Sequence, residues 1–128
     1  LLAIFEWKRI IKKEGLLLLI LPNKTCNFDH NRPYTNSDHI VADYTNNTTE
    51  EALTHLPEIL QLHDLKRDPK AGSFDEFKRR SENNFQNRCI HHHVFNADCL
   101  KKMMEYANME VQLQHTSKTD LFIVARKK

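Results

Sequence analysis

Only two glycines occur in the 128-residue chain, Gly15 and Gly72. That scarcity excludes a glycine-rich nucleotide loop, which needs several glycines so that backbone can approach the ligand closely. Cysteine is equally sparse. Cys26, Cys89 and Cys99 make an odd set without C-x-x-C spacing, so no disulfide framework is written here and a reduced, cytoplasmic setting is expected. No apolar run approaches the roughly 18 residues of a membrane span. The apolar residues 1–5 soon meet Glu6, Lys8 and Arg9 and do not read as a signal peptide. Long basic runs are missing as well, and a formal charge of +2 counts against a dedicated nucleic-acid binder.

What is present centres on residues 16–21, six consecutive apolar side chains between Gly15 and Pro22. Such a run reads as a strand buried on both faces, as in a parallel sheet flanked by helices. Pro22 cannot donate to a sheet ladder and marks the strand's end. Asn23, Lys24, Thr25, Asn27 and Asp29 follow at once. In open α/β sheets ligands bind just beyond the carboxyl ends of strands, so chemistry is expected after Leu21.

The remaining pattern is mostly helical. Residues 1–13 read as an amphipathic helix, with Ile4, Trp7, Ile10 and Ile11 apolar among charges and Gly15 near its C-cap. A polar loop over 23–36 carries Phe28, His30, Arg32 and Tyr34, and 37–44 has the makings of a short helix. Thr48-Thr49-Glu50-Glu51 offers a capping box for a helix from Thr49 onward, which Pro57 either breaks or restarts as a first-turn proline. Ser73-Phe74-Asp75-Glu76 is a second capping box, opening a helix with Phe74, Phe77, Ser81 and Phe85 on one face. Asn96 suits the N-cap of a helix bearing Cys99, Leu100, Met103, Met104 and Ala107, with Asn108 as a left-handed cap. The period then changes to two. Met109, Val111, Leu113 and His115 alternate with polar residues, and after the turn at 116–120 a second strand runs from Leu121; so short a link makes an antiparallel hairpin.

Eight histidines stand in the chain, three of them consecutive at His91-His92-His93. Adjacent residues of an extended segment point to opposite sides, so His91 and His93 would share one. A metal site, a substrate-pocket role and a structural histidine run are all open for them. No H-E-x-x-H motif stands nearby. Lys24, Asp29 and Arg32 are placed to bind an anionic or hydroxylated substrate, or to form a solvated loop tied by Asp–Arg pairs. Phe28 and Tyr34 are either pocket walls or anchors of the loop on the sheet. Cys99 belongs to an apolar helical face, and Cys89 near the histidines has no evident triad partners.

Residues 6–24, Glu-Trp-Lys-Arg-Ile-Ile-Lys-Lys-Glu-Gly-Leu-Leu-Leu-Leu-Ile-Leu-Pro-Asn-Lys, resemble the helix–glycine–strand segment around the fifth strand of class I S-adenosylmethionine-dependent methyltransferases. Blocks 25–44, 74–80 and 91–95 look like a bacterial subgroup of uncharacterised methyltransferase-domain proteins, and 96–126 look like the family's closing helix with its sixth and seventh strands. The family's Lys-Pro-Gly-Gly turn is Lys13-Glu14-Gly15-Leu16 here, and its glycine-rich first loop has no counterpart. The resemblance implies an α/β fold: the C-terminal half of a Rossmann-like methyltransferase sheet, with strands at about 16–21, 109–115 and 121–126. Residues 1–128 would form a single partial domain lacking the cofactor-binding half, with a mainly helical insertion over 25–95 shaping the acceptor side.

For the intact protein the resemblance implies methyl transfer from S-adenosylmethionine to a nucleophilic small-molecule acceptor by in-line displacement, resting largely on proximity and orientation. His91, His92 and His93 would be base candidates, and Asn23, Lys24, Phe28, Asp29 and Arg32 acceptor-binding candidates. No residue is assigned to the cofactor or to a metal, and neither nucleic acid nor membrane is expected as a partner. The chain opens without Met and inside a helical pattern, and is expected to be a fragment that alone binds the cofactor poorly. Two other readings stand beside it: a non-catalytic interaction module built on the same scaffold, and a histidine-based metal protein. A strand apolar on both faces without parallel neighbours further implies association, or an oligomer, through exposed sheet.

Overall fold

The computed structural model describes residues 1–49 and 51–128. A single three-stranded sheet forms from β1 (Leu16–Pro22), β2 (Met109–Thr116) and β3 (Asp120–Lys127) in the order β1-β3-β2, antiparallel at both seams. The class is mixed α/β, and the expected terminal hairpin is present. The partner of β1 differs from the expectation of a parallel sheet: β1 runs antiparallel to β3, with Leu17 opposite Ala125 and Leu19 opposite Ile123. Among the described residues its other edge carries no strand.

Six α-helices accompany the sheet among the described residues: α1 (Leu2–Ile10), α2 (Ser37–Thr45), α3 (Leu56–Leu62), α4 (Phe74–Glu82), α5 (Asn84–Asn87) and α6 (Ala97–Tyr106). One apolar cluster joins Ile4 of α1, Ile40 of α2 and Leu100, Met103 and Met104 of α6 to Met109, Leu121, Ile123 and Ala125 of the hairpin. Leu17, Leu19 and Leu21 pack against it from β1. Because side chains alternate along a strand, Leu16, Leu18 and Ile20 turn the other way and remain 61%, 57% and 48% exposed. The strand is therefore covered on one face, not two. On the second side of β1 no buried layer covers Leu16, Leu18 and Ile20, and Trp7 and Ile10 of α1 only border a groove along the strand.

Local signals account for the element ends. The α1 helix is shorter than the expected 1–13, because Ile11 is already extended and Glu14, not Gly15, takes the left-handed conformation at φ 61°. Gly15 is needed for close approach: a Cβ there would lie 2.6 Å from Ile11 Cγ2 and 2.8 Å from the Lys12 carbonyl oxygen. The helix expected from Thr49 involves Glu50, outside the described residues; a turn precedes α3, which carries Pro57 in its first turn. The Ser73–Glu76 capping box opens α4, but only Phe77 and Ser81 of its expected apolar face are buried, Phe74 and Phe85 being about half exposed. Asn96 caps α6 by accepting from the Cys99 amide at 2.8 Å, and Asn108 takes φ 52°.

The hairpin contains one irregularity. Val111 lies opposite Ala125 but Leu113 lies opposite Val124, so Gln112 is an extra residue in β2. A bulge of this kind reverses the faces beyond it. Leu113, expected inward with Met109 and Val111, is 56% exposed for that reason.

The stretch between β1 and α6 holds α2, α3, α4 and α5 among the described residues. It carries a small apolar cluster of its own, Ile59, Ala71 and Phe77, with Leu60, Leu65 and Ile90 against it.

Candidate functional site

The loop leaving β1 is pinned at its first residues. Asn23, almost buried, accepts from the Thr25 amide with its side-chain oxygen and donates from Nδ2 to the Ser117 carbonyl at 3.0 Å, fastening the strand end to the β2–β3 turn. Lys24 Nζ donates to the Arg32 carbonyl and lies 4.2 Å from the centre of the Tyr34 ring. Beyond Leu21 and Pro22 a pocket of about 280 Å³ opens, with Lys24, Asn27, Asp29, His91, His92, His93, Val94 and Phe95 in its wall. A cavity thus lies past the carboxyl end of this strand; Lys24, Asp29 and the three histidines line it, whereas Asn23, Phe28 and Arg32 are not in its wall.

Their joint is Arg32, whose side chain is 1% exposed. Its Nε donates to Glu58 at 2.9 Å, Nη1 to Asp29 at 2.9 Å and to the His91 carbonyl at 2.7 Å, and Nη2 to the His92 carbonyl at 3.2 Å. A guanidinium so engaged is a brace, not a free binding group. The second oxygen of Asp29 meets His91 Nδ1 at 2.6 Å. Burial pushes the Asp29 carboxyl up, but the hydrogen bonds from His91 and Arg32 outweigh it and hold the group below its usual range. Asp29 is thus an ionised carboxylate that fixes the imidazole through Nδ1. Phe28 lies in the same layer, its ring centre 4.4 Å from that of His63 and 5.0 Å from that of His91.

The three consecutive histidines go to three different partners. His92 Nε2 lies 3.2 Å from Asn84 Nδ2, and Asn84 Oδ1 accepts from the amides of Cys89 and Ile90, shaping the approach to the run. Burial lowers the His92 pKa, reinforced by the charges of His55 and Arg32. His93 Nε2 lies 2.9 Å from Asp43 Oδ2, where His39 and His55 also converge. Burial lowers the His93 pKa, outweighing the opposing pull of Asp43. His91 and His93 thus take different carboxylate partners, Asp29 and Asp43, while both stand in the wall of the same pocket.

Six participants lay outside the sequence-derived candidates: Asp43, His39, His55, Glu58, His63 and Asn84. The first two were readable, since His39 and Asp43 stand four residues apart in a segment with helical signals and so share a helix face. His55, Glu58 and His63 sit at or beyond the start of α3, and nothing in sequence spacing brings His55 to Asp43, Glu58 to Arg32 or His63 to Phe28. No family model matches the chain, and no curated protein and no solved structure matches it.

Proposed function

We propose that this chain is the acceptor side of an S-adenosylmethionine-dependent methyltransferase, with His91 as its general base. The observation that carries the reading is the Asp29–His91 pair in the wall of the pocket beyond β1. A carboxylate on Nδ1 fixes the ring and its tautomer, which leaves Nε2 as the nitrogen available to a substrate. His91 Nε2 takes the proton from the acceptor's nucleophilic atom, and Asp29 stabilises the imidazolium that results. Lys24 presents a cation in the same wall, suited to an anionic or hydroxylated acceptor. At about 280 Å³ the pocket is at the small end of ligand sites and fits a small molecule.

The residues present do not fit the methyl donor. Neither Gly15 nor Gly72 is in the pocket wall, so no backbone can close on a nucleoside as a glycine-rich loop does, and no step through the donor is assigned to this chain. Support for a further half of the domain comes instead from β1, whose free edge and bare apolar face ask for an added strand and a covering layer. The same face favours a second reading, a non-catalytic interaction module.

The two readings part on one measurement. The coding sequence extended upstream of Leu1 is expressed and its affinity for S-adenosylmethionine measured by calorimetry beside that of the present chain. Binding by the longer protein and none by the chain alone is expected. A longer protein that does not bind S-adenosylmethionine overturns the methyltransferase reading and leaves the interaction module.

A further inference from the structure

We infer that His39, Asp43, His55 and His93 form a tetrahedral site for a zinc ion, separate from the acceptor pocket's Asp29–His91 pair. The four side chains come from three places in the chain: His39 and Asp43 from successive turns of α2, His55 from the N-cap of α3, and His93 from the extended segment before α6. Each offers one ligand atom, and these atoms all lie within 4.8 Å of one another.

The individual separations decide the matter. His93 Nε2 is 2.9 Å from Asp43 Oδ2, His39 Nε2 is 3.3 Å and His55 Nε2 is 3.8 Å from the same oxygen, and the His39 and His55 Nε2 atoms are 3.2 Å apart. Donors about 2.0–2.1 Å from a zinc ion stand roughly 3.3–3.4 Å apart at the corners of a regular tetrahedron. The observed values bracket that edge. Three imidazoles crowding one carboxylate oxygen are poorly served by hydrogen bonds alone, because two Nε2 atoms facing each other can share only one proton. An ion between them satisfies all four lone pairs at once.

Three nitrogens and one oxygen suit zinc and disfavour magnesium or calcium, which take oxygen ligands. Four protein ligands complete a tetrahedron with no open position, the pattern of a structural site. Such an ion would tie α2, the entry to α3 and the histidine run together, and would commit His93 to the metal and not to acid–base work.

Purified chain, dialysed after exposure to zinc chloride, is assayed for metal by mass spectrometry, and the cobalt-loaded form by visible absorption. One equivalent of zinc per chain and the intense absorption of four-coordinate cobalt are expected. Because His39 is the most exposed ligand, the His39→Gln variant is expected to keep its circular dichroism while losing more than about tenfold in zinc affinity. The Asp75→Asn variant, exposed on α4 and touching none of the four, is expected to bind zinc as the parent does. Zinc well below one equivalent, or a folded His39→Gln chain that binds zinc like the parent, overturns the site.

Discussion

Arg32 is a cation taken almost wholly out of water, tolerable because Asp29 and Glu58 supply compensating charge and the His91 and His92 carbonyls take its remaining donors. Arg32→Met leaves Asp29 and two carbonyls without their donor, which costs about 3–5 kcal/mol, the usual penalty for breaking a buried pair. In a chain of this length that lowers the melting temperature by about 10–20 °C, measurable by differential scanning calorimetry. Asp29 adds a pH dependence of definite sign. Its carboxyl titrates below the usual range in the folded chain, so the stability it contributes is present above the unfolded value of about 3.9 and is lost as pH falls through the lower, folded value. Asp29→Asn is expected to flatten the loss of stability below about pH 4 in chemical denaturation; an unchanged acid limb would count against an ionised Asp29. Residues in the loop were legible as a group but not as individuals. Asp29 and Arg32 announced an ion pair by spacing. The partners that make it a brace lie 26 to 60 residues away, and no local pattern encodes such a meeting.

Elements were the most readable scale, because their ends are set by neighbours in sequence. Ser73 and Glu76 satisfy each other's backbone donors at the start of α4, with Ser73 Oγ accepting from the Glu76 amide and the Glu76 carboxylate accepting from the Ser73 amide at 2.7 Å. Those contacts hold the Glu76 carboxyl below its usual range. Ser73→Ala is expected to cost about 1 kcal/mol, whereas Asp75→Ala, on the wet face of the same helix, should stay within about 0.5 kcal/mol; urea denaturation of both variants separates a working cap from a decorative one. Asn96, Asn108 and the terminal hairpin were legible for the same local reason. Two features were not. The bulge at Gln112 interrupts a pattern that alternates smoothly in sequence, since Val111 and Leu113 look equivalent until their partners on β3 are known. The partner of β1 was hidden as well, because six apolar residues in a row signal burial without saying which strand or which cover supplies it.

At the scale of the whole molecule the uneven covering of the sheet dominates. Helices protect the side bearing Leu17, Leu19 and Leu21, while Leu16, Leu18 and Ile20 stand on the other, joined through the register by Val124 and Phe122. Exposed Trp7 and Ile10 of α1 border a groove of about 350 Å³ against the same strand. An open edge beside an apolar face is the arrangement that soluble proteins avoid unless something docks there. The chain on its own should therefore self-associate, and the association should be removable without harming the fold. Leu18→Lys with Ile20→Lys places two charges on the exposed strand face, where surface substitutions change stability by no more than about 0.5 kcal/mol each. Sedimentation velocity is expected to show concentration-dependent association for the parent chain and a monomer for the double variant, with matching circular dichroism. Leu17→Lys, one residue away but packed on the core, is expected instead to unfold the chain, because its ammonium would be buried without a partner. A parent chain that stays monomeric at high concentration would mean that water tolerates the bare face and that nothing need dock on it.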